Sequence, residues 1–192
     1  MSGVPRPTGA PDLDALAAAP PSGMSLTGDR PGAAAAVTAL HMRIYSPPRA
    51  QGGWNFGARF EQGVADGLGG FLAAHDPNRD LFLCIWTAEG ALAGSLTLDA
   101  RPAPRSAELG DARLRFFVVA PETQGAGLGR ILLDAALKRA RAIVARSVWL
   151  DTFAGLDAAR RLYDRAGFVQ IAEEASDAYG PVVRQQRLRL VF

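Results

Sequence analysis

Lysine and cysteine are nearly absent from this 192-residue chain: each occurs once, as Lys138 and Cys84. A single cysteine excludes an intrachain disulfide and removes any reason to expect export. His41 and His75 stand far apart in sequence and Cys84 has no Cys-x-x-Cys partner, so no metal is expected. Long blocks of like charge are missing too, and the 21 basic and 19 acidic residues leave a net charge of only +2. The arginine excess accompanies many alanines and reads as genome composition, so no nucleic-acid partner is expected. No apolar run approaches the ~20 residues that span a bilayer. The N-terminus lacks the basic start and compact apolar segment of a signal peptide. A cytoplasmic protein with no membrane partner is the expectation. Present instead is a 48% apolar composition, enough for the core of one domain.

Residues 1–23 read as a flexible tail, where Pro5, Pro7, Pro11, Pro20 and Pro21 interrupt small residues. Too little apolar surface is available there to offset ordering entropy, although residues 13–19 could form a helical turn. Residues 24–192 read as one folded domain. A short strand at 24–27 precedes a helix over 33–45, which Ser46-Pro47-Pro48 stops. A second helix over 56–74 carries Phe60, Val64, Leu68 and Phe71 in one stripe. Strands 81–87 and 92–98 form a hairpin about Glu89-Gly90. Strand 112–119, a helix over 127–145 and strand 147–151 make a β-α-β unit. Its helix is expected to bury Leu133, Leu137, Ala140 and Val144 and to pair Asp134 with Lys138 outside. A helix over 156–166 is closed by Gly167, and strands 168–172 and 183–192 follow. In the last strand Leu188, Leu190 and Phe192 share one face. The fold class is α/β (α+β), with about seven strands and four helices.

The chemistry is concentrated where strand 112–119 passes through Pro121 into Gln124-Gly125-Ala126-Gly127-Leu128-Gly129-Arg130 and then a helix. A helix N-terminus presents unpaired N–H groups and the positive end of its dipole, and glycines let a phosphate approach. The loop therefore reads as an anion cradle suited to a pyrophosphate. A P-loop is excluded because Arg130-Ile131, not Lys-Ser/Thr, follows the glycines. The dinucleotide fingerprint fails because Arg130 holds its third glycine position, although Asp151 mimics the ribose-binding acid of that fold.

Val119-x-Pro121-x-x-Gln124-Gly125-x-Gly127-x-Gly129-x-x-Leu132-Leu133 resembles the acetyl-CoA-binding signature of the GNAT superfamily of N-acyltransferases. A second stretch, from Ala158 through Leu162-Tyr163 to Gly167-Phe168, resembles that superfamily's downstream signature. Residues 71–77, Gly94-Ser95 and residues 112–115 are similar to acetyltransferase domains often fused to MarR-type regulators. No helix-turn-helix segment precedes the domain here, so the transferase domain alone is expected.

The resemblance implies a mixed, mostly antiparallel sheet with the β-α-β unit at its centre, and acetyl-CoA as co-substrate. It implies that backbone groups of Phe117, Val118 and Val119 pair with the pantetheine arm. The N–H groups of Gly125, Ala126, Gly127, Leu128, Gly129 and Arg130, with Gln124 at their head, would hold the pyrophosphate. Tyr163 resembles the family's general acid, although its place on the buried stripe suits a core residue as well. Arg113 stands where many relatives carry a glutamate base. Glu108 and Asp111 are substitutes for that base, or solvated turn residues. Tyr45, Trp54 and Asp151 are candidate substrate contacts, with packing an equal account of the two aromatics. Arg43 could also line the acceptor pocket. The expected reaction is acetyl transfer to a primary amine of a small molecule or peptide by direct attack in a ternary complex. An acyl-CoA-binding module without turnover is the alternative, and an NAD(P) oxidoreductase a third. The final strand is a candidate for pairing two copies into a homodimer.

Overall fold

The computed structural model describes residues 12–101 and 112–192. Among them, seven strands form one sheet in the order β1-β2-β3-β4-β5-β7-β6. The strands are β1 (Met24–Thr27), β2 (Leu81–Thr87), β3 (Leu92–Asp99), β4 (Ala112–Val119), β5 (Ser147–Phe153), β6 (Val169–Ser176) and β7 (Val183–Val191). Neighbours run antiparallel except β4 and β5, which are parallel. Four helices cover the sheet: α1 (Ala33–Tyr45), α2 (Ala58–Ala73), α3 (Leu128–Ala142) and α4 (Asp157–Ala166). The chain is thus a mixed α/β fold of the expected kind.

Alternation along β2 shows how the layers form. Leu81, Leu83 and Ile85 point to the side of α3 and pack with Leu132, Leu133 and Leu137, whereas Phe82, Cys84 and Trp86 pack with Val37, Leu40, Leu68 and Phe71 of α1 and α2. With both faces covered, β2 reads as a continuous apolar run. A single helical turn, Leu13–Leu16, lays Leu13, Leu16 and Ala17 on the α3 side of the core.

Several local expectations are corrected. Val144 leaves the α3 stripe: it has φ 59° and is 67% exposed. The helix ends in a Schellman turn, with Val144 N–H donating to Arg141 O (2.9 Å) and Ala145 N–H to Ala140 O (3.0 Å). Asp134 pairs with Arg130, one turn earlier, at 3.5 Å rather than with Lys138. Phe192 is 40% exposed, with the Arg141 guanidinium 4.3 Å from its ring centre. Strand β7 is flanked by β5 and β6, so both its edges are used and it offers none to a second copy.

The feature that positions the site is the parting of β4 from β5. Only Ala112↔Val148 and Arg113↔Trp149 pair, and beyond them the edge of β4 facing β5 has no strand partner. Opposite, β4 carries a bulge against β3: Thr97 aligns with Arg115 but Ser95 with Val118, which leaves one extra residue in β4. Phe116 takes it up with φ 49°, and Ser95 Oγ donates to its carbonyl at 2.8 Å.

Candidate active site

Into this opening lead two cavities. The larger, about 1020 Å³, is lined by residues 117–119 of β4, by 124, 125 and 127–130 of the glycine turn, and by α4. Gly125 (φ 87°) and Gly127 (φ 80°) are left-handed, and Gly127 caps α3 at its N-terminus. Only glycine adopts that conformation freely, so the two residues turn the chain tightly enough for the first amides of α3 to face outward. Of the ten residues expected to hold the cofactor, nine line this groove. Ala126 does not, and its N–H is engaged by the Thr123 carbonyl at 3.3 Å. Arg130, Arg161 and Arg165 bring positive charge to the groove, which suits a phosphate-bearing ligand.

The smaller cavity, about 170 Å³, lies between α1, α2, β4, β5 and α4. Its walls belong to an aromatic cluster that includes Tyr45, Phe60, Phe116, Phe153 and Tyr179. Five residues line both cavities: Tyr45, Phe117, Leu156, Ala159 and Tyr163. Tyr163 therefore stands where groove and chamber meet. Its ring is held edge-on between Phe117 (6.0 Å) and Phe168 (5.8 Å). Burial, and secondarily Tyr45, push its pKa well above the ordinary phenol value, so the hydroxyl stays protonated. It has no hydrogen-bond partner among the described residues. A protonated phenol with a free hydroxyl is equipped to donate a proton to a group in the groove.

The other expected site residues fall into three sets. Tyr45 lines the chamber, its pKa pushed up to about 12 by burial. Asp151 also lines it, but its carboxylate is bound on both sides, by Arg113 Nη2 (2.8 Å) and Arg187 Nε (2.8 Å). Trp54 lines neither cavity. It packs behind the chamber on Phe153 (5.7 Å) and Phe56 (6.2 Å) because its loop folds back on α1 through Trp54 N–H to Tyr45 O (2.9 Å). Arg43 likewise turns away, to Glu122 at 2.9 Å. Glu108 and Asp111 lie outside the described residues.

Most chamber residues were not singled out from the sequence as site candidates, and two of them bear on the chemistry. His41 is 6% exposed and donates through Nδ1 to Val37 O at 2.8 Å, the assignment that leaves Nε2 an acceptor. Burial lowers its pKa to about 4, so the imidazole is neutral at pH 7. Its signal was the i, i+4 series Val37, His41, Tyr45 along α1. Arg115 is the second, on the same face of β4 as Arg113. Cys84 is fully buried and its thiol is pushed up to about 12 by burial, which makes it unreactive. Among the described residues no group of three or more His, Cys, Asp or Glu could hold a metal, and no helix is long and apolar enough to cross a membrane.

Solved structures with the same fold include an acetyltransferase from Streptococcus agalactiae (TM-score 0.62, 21% identity, covering 89% of this chain and 99% of that one). The yncA protein of Salmonella typhimurium, assigned as an acetyltransferase and solved with its cofactor acetyl-CoA, has TM-score 0.64 at 16% identity, with 88% and 94% covered. A protein assigned as a phosphinothricin N-acetyltransferase has TM-score 0.63 at 16% identity, with 88% and 98% covered. At these identities the likeness speaks for the fold alone. No curated protein matches the chain in sequence. The sequence model of the acetyltransferase (GNAT) family matches residues 40–168, the stretch that runs from α1 through the parted strands and the glycine turn to the end of α4. By that match, the chain belongs to the acetyltransferase (GNAT) family, and acetyltransferase is its class of enzyme.

Proposed function

We propose that the chain transfers an acetyl group from acetyl-CoA to a primary amine by direct attack while both substrates are bound. The observation that carries this reading is the meeting of the two cavities at Tyr163. Acetyl-CoA would lie in the groove, its pyrophosphate on the amides of Gly125 and residues 127–130, and its pantetheine arm along the unpaired edge of β4. The amine would come from the chamber. Tyr163 would give its proton to the departing thiolate as the C–S bond breaks, and the proton lost by the newly acylated nitrogen would return to the phenolate. The raised pKa of Tyr163 makes the first transfer less favourable, and a thiolate formed in the same groove is raised by the same desolvation, which offsets part of the cost. An acetyl-cysteine intermediate is disfavoured by the buried, protonated Cys84.

Neutral amine is the nucleophile, and the chamber's charge favours it. Among the described residues the chamber offers no unpaired carboxylate to hold an ammonium, because Asp151 is taken by Arg113 and Arg187. His41, with a pKa of about 4, is too weak a base to take the ammonium's proton for long, and serves as a hydrogen-bond acceptor. The same lack of a free carboxylate among the described residues favours a second reading, an acyl-CoA-binding module without turnover. Tyr163→Phe separates them. Under the enzyme reading, thiol release from acetyl-CoA with an amine falls about 10²–10⁴-fold in kcat while affinity for acetyl-CoA stays within about twofold. Unchanged turnover in Tyr163→Phe refutes the acid role. Tight acetyl-CoA binding with no turnover across an amine panel favours the module.

A further inference from the structure

The chamber carries a charge that an amine alone does not account for. Asp151 is satisfied twice over, by Arg113 and Arg187. Arg115 is not: among the described residues no carboxylate stands within ion-pair distance of it. Asp99, whose charge it feels, is held by Arg101 at 2.7 and 2.9 Å. Its guanidinium lies 4.6 Å from the ring centre of Phe116 and fills the space left by Gly67 of α2, where a Cβ would stand 2.6 Å from Nη2. Burial and the neighbouring Arg113 both work against its charge. A half-buried guanidinium facing a cavity without a counter-ion is a receptor for an anion.

Resting on the acetyl-transfer reading, we infer that Arg115 binds an anionic group carried by the acceptor itself, a carboxylate, so that the substrates are small amino acids rather than simple amines. The chamber's size and walls narrow the class. About 170 Å³ is close to the roughly 150 Å³ cavity that holds one benzene. Tyr45, Phe60, Phe116, Phe153 and Tyr179 give it one apolar wall, facing the polar side chains of His41, Arg113, Arg115, Asp151 and Gln185. A benzene-sized aromatic or branched apolar side chain of an amino acid fits that space. Its carboxylate cancels the surplus charge at Arg115, and Nε2 of the neutral His41 accepts from its amine.

The test compares matched acceptors in the full chain: phenylalanine with phenylalaninamide and phenethylamine, and leucine with isoamylamine, followed by thiol release from acetyl-CoA. The carboxylate-bearing member is expected to have the higher kcat/KM by about 30-fold, which at 1.4 kcal/mol per tenfold is about 2 kcal/mol. Arg115→Gln should bring the ratio to within about threefold, and Arg115→Lys should restore part of it, with acetyl-CoA affinity unchanged in both as the check on folding. Equal or better use of the carboxylate-free amines, or an Arg115→Gln variant with the parent's preference, overturns this inference and leaves acetyl transfer standing. A chain that binds acetyl-CoA and acetylates none of these acceptors overturns the acceptor class. Failure to bind acetyl-CoA overturns the transferase reading with it.

Discussion

Lowering the pH from 7 to 5 protonates a histidine in the unfolded chain, whereas folded His41 stays neutral because burial holds its pKa at about 4 against an ordinary 6.5. The unfolded state then binds the extra proton, so stability rises with pH across this interval and is lost as the pH falls towards 4. Between pH 6.5 and 5 the slope applies over about 1.5 units. At 1.36 kcal/mol per unit this is about 2 kcal/mol. The ring contacts Tyr45, Phe60 and Phe116 at centroid distances of 6.0 to 6.4 Å, and among the described residues no carboxylate pairs with it to rescue an imidazolium. The other ionisable groups lining the chamber include Arg113 and Arg115, which oppose a positive His41 further. Urea denaturation at pH 7 and pH 5 and fixed ionic strength, on the parent and His41→Gln, isolates the effect. His75 and the carboxylates are common to both proteins and cancel in the difference. The parent should lose about 2 kcal/mol more than the variant on acidification. Equal losses would refute the buried neutral imidazole.

Gly67→Ala should leave stability within about 1 kcal/mol, because better helix propensity offsets the push on Arg115. Displacing that guanidinium should raise the KM for carboxylate-bearing acceptors about tenfold and leave the KM for acetyl-CoA unchanged; steady-state kinetics with each substrate varied checks both. Asp151→Asn removes the anion between Arg113 and Arg187, whose side chains are 36% and 30% exposed. Partial solvation of the two arginines limits the loss to about 2 kcal/mol, read from urea midpoints.

Where apolar spacing decides the outcome, the sequence was a sufficient guide. The stripe Phe60, Val64, Leu68 and Phe71 is buried as its period requires, and β4 feeds the glycine turn and α3 in the expected order. Strand β6 was underestimated because it is exposed along nearly its whole length, so no alternation marks Glu173 and Glu174 as strand. Pairing with β7 holds it, helped by Gln186 Nε2 donating to Glu173 at 2.7 Å and by the Arg184–Glu173 ion pair. The glycine turn was legible because its pattern is local: consecutive residues at one helix start. The smaller chamber was not, since it draws on residues from His41 to Gln185 that only the fold brings together. Nothing in the sequence shows that Asp151 is already spent on two arginines, or that Trp54 faces away.

The last pairing between β4 and β5 is Arg113 with Trp149, and there the sheet comes apart. Arg113 and Arg187 both lie over the Trp149 ring, at 4.4 and 5.3 Å, while both grip Asp151, so side chains from β4, β5 and β7 are riveted at the crotch of the fork. A rivet at that point fixes how far the fork can tear and stops it from zipping shut. The slot proposed for the coenzyme's arm is thereby gauged by a charge cluster at the crotch of the fork. Slackening it would alter the width of the slot before it touched the chemistry.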